Sequence, residues 1–284
     1  MKTRIKTSVV GILVLFAVMA LFQTPVFEAL VALVALIALH EIYKAVNLGK
    51  AGKMVFAGFV PFTFLIMYSG MAWASALLLP LSFMFVLYLA CCVILHSQTI
   101  DIGKLGAMAL FGGMVMFCFY SFVYLKHSLP LEEYGDDALY FIFLILGFAW
   151  GGDSAAYFAG RFFGRHKLAP VVSPNKTVEG AVGGILGSVL LGLIITAIYD
   201  VIAGHLAVED FTAYHYLLIC ILAAVSSVLG ILGDLFASAV KRQCGIKDYG
   251  TIFPGHGGVM DRFDSVMFIA PFLTIGVTMA FYLK

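Results

Sequence analysis

Three polar side chains recur along one stretch of an otherwise apolar segment. Asp234, Ser238 and Lys241 are spaced four and then three residues apart, which places them on one face if the segment is helical. Charged side chains inside a membrane-crossing helix are costly and usually face a partner or a water-filled cavity. The stripe is therefore either an internal ion pair that fixes packing or one wall of a polar site.

A pair of acidic residues follows near the C-terminus. Asp261 and Asp264 are three residues apart and share a face in a helix. Two carboxylates held this close repel each other unless a cation lies between them. Mg²⁺ typically takes one or two carboxylates and completes its shell with water and substrate phosphate oxygens. With Asp234 on the preceding helix, these residues predict a three-carboxylate metal site; solvated carboxylates at a helix start are the alternative.

The segment 247–258, called the glycine loop below, connects these two acidic regions. It contains four glycines. Glycine allows the backbone to approach a phosphate closely with its amide groups turned toward it. The same composition also suits an ordinary turn.

A second polar region lies earlier in the chain. Asp153, Tyr157 and Arg161 recur every four residues, and Lys176 and Thr177 precede a predicted helix. A helix N-terminus favours anions because of its free amide groups and its dipole. Arg161 and its basic neighbours are explained by anchoring at the cytoplasmic face, but Asp153 and Lys176 are less well explained that way.

The composition indicates the environment of these residues. Of the 284 residues, 62% are apolar and only 12% are charged, about half the charged share of a soluble domain. About 20 apolar residues are needed to cross a bilayer as a helix. Nine such segments are predicted: 6–22, 25–46, 54–70, 72–96, 104–125, 137–162, 178–203, 214–240 and 264–283. The first segment is short and the third and fourth nearly touch, so a count of eight stays open.

The basic residues predict the orientation. With the N-terminus in the cytoplasm, all of the 17 basic residues except Lys126 and Lys284 fall on the cytoplasmic side. We therefore predict an all-α integral membrane protein, a polytopic bundle of about nine transmembrane helices. Residues 1–136 would form scaffold spans and residues 137–284 a catalytic part of the same continuous membrane domain.

The stretch from Ser238 to Asp264 resembles the signature of the phosphatidate cytidylyltransferases, also called CDP-diacylglycerol synthases. The shared positions are Ser238, Lys241, Arg242, Lys247, Asp248, Gly250, Phe253, Pro254, His256, Gly257, Gly258, Asp261, Arg262 and Asp264. The segment 173–180, with the sequence SPNKTVEG, is also similar to that family, although a basic residue and a Trp are commoner at the positions of Asn175 and Val178. The close resemblance covers about residues 147–266.

The resemblance implies that phosphatidic acid and CTP react to give CDP-diacylglycerol and pyrophosphate. It implies Mg²⁺, with a second cation left open, and a helical membrane bundle of a kind that is often dimeric. It also implies an active site at the cytoplasmic face of a bacterial inner membrane. We expect membrane lipid to be a partner and nucleic acid not to be one.

Roles for individual residues follow from this resemblance. The expected metal ligands are Asp234, Asp261 and Asp264, with Asp248 as a further candidate. The expected catalytic residues, which would neutralise phosphates or donate a proton, are Lys176, Lys241, Arg242, Lys247 and His256. The expected substrate-binding residues are Asp153, Ser173, Thr177, Ser238, Gly257, Gly258 and Arg262.

Two other functions share some of these features. A CTP-dependent lipid kinase would use similar nucleotide and metal groups but would transfer the γ-phosphate to an alcohol. A transporter would use intramembrane acids as a cation path, but it would place them near the middle of the bilayer and often in repeated halves. The charges here cluster toward one face and no repeat is visible, which favours the cytidylyltransferase.

Overall fold

The computed structural model describes residues 2–49, 52–206, 209–255 and 257–282, and the chain is nearly all α-helical. His256, which the sequence predicts to be catalytic, lies outside the described residues. The helices are α1 (Lys2–Ala20), α2 (Val26–Val46), α3 (Gly52–Met67), α4 (Ala72–Leu95), α5 (Ile102–Ser128), α6 (Leu131–Tyr134), α7 (Asp137–Leu146), α8 (Gly152–Phe163), α9 (Val178–Ala203), α10 (Ala213–Gln243), α11 (Met260–Phe263) and α12 (Val266–Tyr282).

Among the described residues, each of the nine apolar segments predicted from the sequence coincides with a helical stretch, apart from a few residues at some of its ends. Six helical stretches are long and apolar enough to cross a membrane: Val26–Val46, Ala72–Leu95, Ile102–Ser128, Asp137–Phe163, Val178–Ala203 and Ala213–Gln243. Three further apolar helices are shorter, namely Val10–Ala20, Gly52–Met67 and Val266–Ala280. Length and composition therefore support a polytopic helical membrane protein with at least six spans among the described residues.

Two small antiparallel sheets interrupt the helices. Strands β1 (Lys167–Ala169) and β2 (Ser173–Thr177) form a hairpin in which Lys167 pairs with Thr177 and Ala169 with Ser173. Strands β3 (His205–Leu206) and β4 (Glu209–Asp210) form the second sheet. Both regions lie between the predicted spans and are predicted as loops, because strands of two to five residues are too short to show an alternating pattern.

The chain divides into two compact units. The first comprises residues 1–124 and 244–262, so it contains the glycine loop as well as the N-terminal helices. In this unit α2 packs against α3, and α3 packs against α4. The division of roles at residue 136 that the sequence suggests stays a prediction, since it concerns function rather than packing.

The second unit comprises residues 125–243 and 263–284. Here α9 packs against both α8 and α10, and α10 packs against α12. The contact between α8 and α9 is made through small residues, with Gly183 facing Ala159 and Gly187 facing Ala155. Glycine at these positions lets the two helix backbones approach closely.

We expect Gly187→Val to disrupt this helix contact. The first side-chain carbon would collide with Ala155 Cβ and would lie 3.4 Å from the Gly151 carbonyl oxygen, and overpacking of this kind typically costs about 1–3 kcal/mol. Thermal unfolding of the purified protein in detergent measures the effect. Gly276→Val is the matched control, because a Cβ at that α12 position meets nothing within 4 Å; equal unfolding temperatures for the two variants would contradict the prediction.

A π-helical turn, Gly147–Gly151, joins α7 to α8. Ser188 of α9 donates a hydrogen bond of 2.8 Å to the Phe148 carbonyl in this turn. A π-turn inserts a residue into the helix and is frequent at functional sites. In this chain it changes the direction in which the following side chains point. Asp153 is the first charged residue among them.

Candidate active site

An ion pair joins the β1–β2 hairpin to α10 in the second unit. Lys176 Nζ lies 2.5 Å from Asp234 Oδ2, and each side chain is about one quarter exposed, at 24% and 26%. Ser238, one helical turn after Asp234, donates a hydrogen bond of 3.2 Å to Asp234 Oδ1. The stripe predicted on α10 is therefore present, and its carboxylate has a lysine partner that the spacing alone did not indicate.

A second acidic pair of this unit lies at the start of α8 and just before α12. Asp264 is only 9% exposed, and its Oδ1 accepts a hydrogen bond of 3.0 Å from the Ser265 amide. The Ser265 hydroxyl donates a bond of 2.9 Å to Asp153 Oδ2. Ser265 thus links the two carboxylates, and we name Asp153, Asp234 and Asp264 the carboxylate cluster.

Burial and like charge act together on the buried member of the carboxylate cluster. Burial raises the pKa of the Asp264 carboxyl, and the neighbouring carboxylates of Asp234 and Asp153 raise it further. The Lys241 ammonium acts in the opposite direction. A buried carboxyl that its neighbours make harder to ionise is an environment in which a bound cation is strongly favoured.

The hairpin that carries Lys176 is held at its base, where β1 begins and β2 ends. Thr177 is the N-cap of α9, and its side chain accepts a hydrogen bond of 3.1 Å from the Gly180 amide. Glu179, in the first turn of α9, accepts from the Arg165 and His166 amides at 3.0 and 3.2 Å. These contacts fix the turn before β1 and the end of β2, and so they position Lys176. Ser173 lies at the other end of β2, half-buried.

The remaining predicted cationic and polar residues are half-buried or exposed. Lys241 is half-buried on α10, close enough to Asp264 to influence its charge. The side chains that are exposed are Arg242, Lys247, Asp248 and Arg262. Exposure leaves them accessible to a ligand from solution, and their individual roles stay predictions.

The glycine loop is organised by carboxylates of its own unit. Asp261, 6% exposed, accepts hydrogen bonds through Oδ2 from the amides of Tyr249 at 2.8 Å and Gly258 at 2.9 Å. Gly257 has a φ of +84°, and a Cβ there would lie 2.7 Å from Asp261 Oδ2. Glycine is needed here because the backbone both adopts a left-handed conformation and passes close to a carboxylate. Binding of phosphate by Gly257 and Gly258 stays a prediction.

The residues that the sequence groups as metal ligands therefore have different surroundings. Asp234 and Asp264 belong to the carboxylate cluster of the second unit, together with Asp153, which the sequence assigns to substrate binding. Asp261 belongs to the first unit and bonds to loop amides. No role for Ser265 or Glu41, a 4% exposed acid on α2, is predicted from the sequence. The available signal for Glu41 was an acidic residue inside an apolar span.

The carboxylate cluster suits Mg²⁺ by its donor chemistry. Among the described residues, no group of three acidic, histidine or cysteine side chains is arranged to hold a metal ion by itself. Mg²⁺ does not require one, because it commonly uses one or two carboxylates together with water and substrate phosphates. Asp234 and Asp264 supply such carboxylates, and Mg²⁺ binding by them stays a prediction.

The fold and the site define a helical integral membrane protein with an acidic centre, in which Asp264 is buried, flanked by lysines. The cytidylyltransferase family model matches residues 2–280, and the chain belongs to that family.

Several curated relatives are named phosphatidate cytidylyltransferase. The chain is 39% identical to the Bacillus subtilis (strain 168) protein over 188 residues, which cover 66% of this chain and 64% of that relative. It is 42% identical to the Staphylococcus saprophyticus protein over 160 residues, covering 56% and 57% of the two chains. For the Staphylococcus aureus (strain COL) protein the identity is 39% over 160 residues, with the same coverage. The chain thus spans 57% to 64% of the length of these relatives.

Proposed function

We propose that this protein is a phosphatidate cytidylyltransferase that transfers CMP from CTP to phosphatidic acid in phospholipid biosynthesis. The products are CDP-diacylglycerol and pyrophosphate. The observation that carries the proposal is the carboxylate cluster, in which Asp264 is buried, with Lys176 and Lys241 beside it, in a chain of the cytidylyltransferase family.

The transfer reaction needs neutralisation of negative charge more than it needs a general base. The phosphate of phosphatidic acid is already an anion, and one of its oxygens would attack the α-phosphorus of CTP as the bond to pyrophosphate breaks. Bringing two polyanions together is the main difficulty, and positioned cations address it in phosphoryl-type transfer. Lys176 and Lys241 would neutralise phosphate oxygens at the cluster. Arg242 and Lys247, whose side chains are exposed, would meet the incoming nucleotide.

The carboxylates would hold the metal. Asp234 and Asp264 would bind Mg²⁺, with Asp261 and Asp248 as further ligands and a second cation left open. Bound Mg²⁺ would supply Lewis-acid stabilisation of phosphate charge. Ser238 and Ser265 would orient the carboxylates of Asp234 and Asp153, to which they already donate hydrogen bonds.

The membrane arrangement completes the proposal. We infer nine spans, with the six long apolar helices joined by the three shorter ones. The distribution of basic residues favours the N-terminus and the active site on the cytoplasmic side, in a bacterial inner membrane. CTP would enter from water while the acyl chains of the acceptor remain in lipid, and a homodimer is the expected assembly.

The experiment that tests this function uses purified protein in detergent–lipid micelles with Mg²⁺. CTP is labelled either in the cytosine ring or at the γ-phosphate, the lipid acceptor is varied, and label in the organic phase is counted. We expect cytosine label to enter lipid only with phosphatidic acid, and to be lost in Asp261→Asn. That variant can still offer one oxygen to the Tyr249 and Gly258 amides, so it removes charge with little change of shape.

The other outcomes would replace the proposal. Transfer of γ-label to an alcohol lipid would make the protein a kinase. If the protein remains folded and transfers neither label, the alternative function as a transporter, with the intramembrane acids as a cation path, would replace the proposal.

A further inference from the structure

Glu41 is a buried acid in a helix that the sequence assigns to the scaffold. It lies on α2 and is 4% exposed. Its Oε1 accepts a hydrogen bond of 3.0 Å from the Val259 amide, and its Oε2 accepts one of 2.9 Å from the Met260 amide. The carboxylate thus spans two consecutive amides at the start of α11, where a helix lacks intrahelical partners for its amide groups.

The glycine loop is shaped around this carboxylate. A Cβ at Gly258 would lie 2.5 Å from Glu41 Cδ, and a Cβ at Gly250 would lie 2.7 Å from the same atom. Any side chain at these two positions would displace the carboxylate. Two of the loop's glycines therefore permit close approach of backbone to Glu41, which is the same property that the sequence analysis attributes to phosphate binding.

The contacts of Glu41 are continuous with those of Asp261. The Gly258 amide donates to Asp261 and the next two amides, of Val259 and Met260, donate to Glu41. Asp261 directly follows Met260 in the chain. The backbone that determines where the Asp261 carboxylate points is consequently fixed on both sides of residue 259 by charge-assisted hydrogen bonds, which are the stronger kind.

We propose that Glu41 is a positioning residue for the active site, which holds the glycine loop so that Asp261 is oriented for metal binding. This inference rests on the proposed function for its catalytic consequence. Its structural part, the ordering of residues 249–261 by a carboxylate from α2, is independent of which reaction the protein catalyses.

The test compares Glu41→Gln with the parent protein. Glutamine keeps the size of the side chain, but its NH₂ group would face an amide that also donates, so one of the two hydrogen bonds is lost. Glu41→Asp keeps both acceptor oxygens on a shorter side chain. Glu28→Gln is the matched control, since Glu28 is a fully buried acid on the same helix.

Two measurements are made on each variant. Hydrogen exchange followed by mass spectrometry reports the protection of peptides from residues 249–261. Steady-state kinetics report the Mg²⁺ concentration for half-maximal activity and the KM for phosphatidic acid. In Glu41→Gln we expect faster exchange confined to this segment and a Mg²⁺ requirement raised about tenfold to a hundredfold, the usual range for losing an outer partner of a metal site. The KM for phosphatidic acid should change by less than about twofold, because the substitution does not alter contacts that hold the substrate equally in the ground state and the transition state.

The variants separate the possible results. Glu41→Asp should fall between the parent and Glu41→Gln, and Glu28→Gln should leave both readouts at the parent level. Unchanged exchange at 249–261 in Glu41→Gln would overturn the proposal, and so would an equal rise throughout both units, which indicates general destabilisation. If the parent makes no CDP-diacylglycerol, the proposed function fails, while the exchange measurement still decides whether Glu41 orders the loop.

Discussion

Asp264→Asn should lose about a thousandfold or more of its activity while the fold becomes no less stable. Asparagine has the size of aspartate and retains an oxygen for the Ser265 amide, which now donates to Asp264 at 3.0 Å. The substitution removes a buried carboxyl beside Asp234 and Asp153. That carboxyl is a metal ligand in the proposed mechanism and, when ionised, a source of repulsion. Active-site residues commonly reduce stability in this way.

Thermal unfolding with and without Mg²⁺ separates these two effects. In Mg²⁺-free buffer the unfolding temperature of Asp264→Asn should equal or exceed that of the parent. Added Mg²⁺ should raise the unfolding temperature of the parent, because a ligand that binds only the folded state stabilises it, and should raise that of the variant less. Asp136→Asn, the same change at an exposed position of the second unit, should behave as the parent. A variant with normal Mg²⁺ stabilisation would contradict the assignment of Asp264 as a ligand.

Lys176→Met should strengthen Mg²⁺ binding, whereas Asp264→Asn should weaken it. The lysine substitution should also greatly weaken the use of CTP as a substrate. Methionine keeps the length of the side chain but removes the ammonium that lies 2.5 Å from Asp234. The carboxylate cluster then becomes more negative, so it should bind Mg²⁺ more tightly. The same change removes a cation that would meet CTP phosphate, so we expect the KM for CTP to rise at least about tenfold and kcat to fall about a hundredfold.

Lys167→Met is the control for this prediction. Lys167 is an exposed lysine on the other strand of the same hairpin, opposite Thr177. Its replacement should leave the KM for CTP within about twofold of the parent value, since an exposed charge away from a partner contributes little. Equal effects of the two lysine variants would show that the hairpin acts only through its general positive charge.

The helices could be predicted from the sequence because the apolar segments are surrounded by lipid, which offers the backbone no hydrogen-bond partners. A run of apolar residues in lipid has to satisfy its backbone groups internally, so it becomes a helix. The segment predicted at 178–203 is α9, Val178–Ala203, and that predicted at 214–240 is α10, Ala213–Gln243. The stripe of Asp234 and Ser238 was predictable for the same reason, because helical spacing fixes which side chains meet.

The partners across helices could not be predicted in this way. Nothing local links Lys176 to Asp234 or Ser265 to Asp153, since each pair depends on how distant elements pack. The β1–β2 hairpin that delivers Lys176 is too short to show a periodicity. The π-turn before Asp153 changes the register within a segment whose apolar pattern reads as one continuous helix.

The pairing of Glu41 with Val259 and Met260 has a consequence for how the protein is made. The partners are separated by 218 and 219 residues. Helix α2 is therefore synthesised long before the two amides that donate hydrogen bonds to its Glu41 carboxylate. Until translation reaches residue 260, a nascent chain holds an acid in its first helices without those two donors, at a cost in an apolar environment. Assembly of the N-terminal unit is therefore tied to synthesis of the C-terminal loop, and a chain that stops before that loop should be recognised and degraded by membrane quality control.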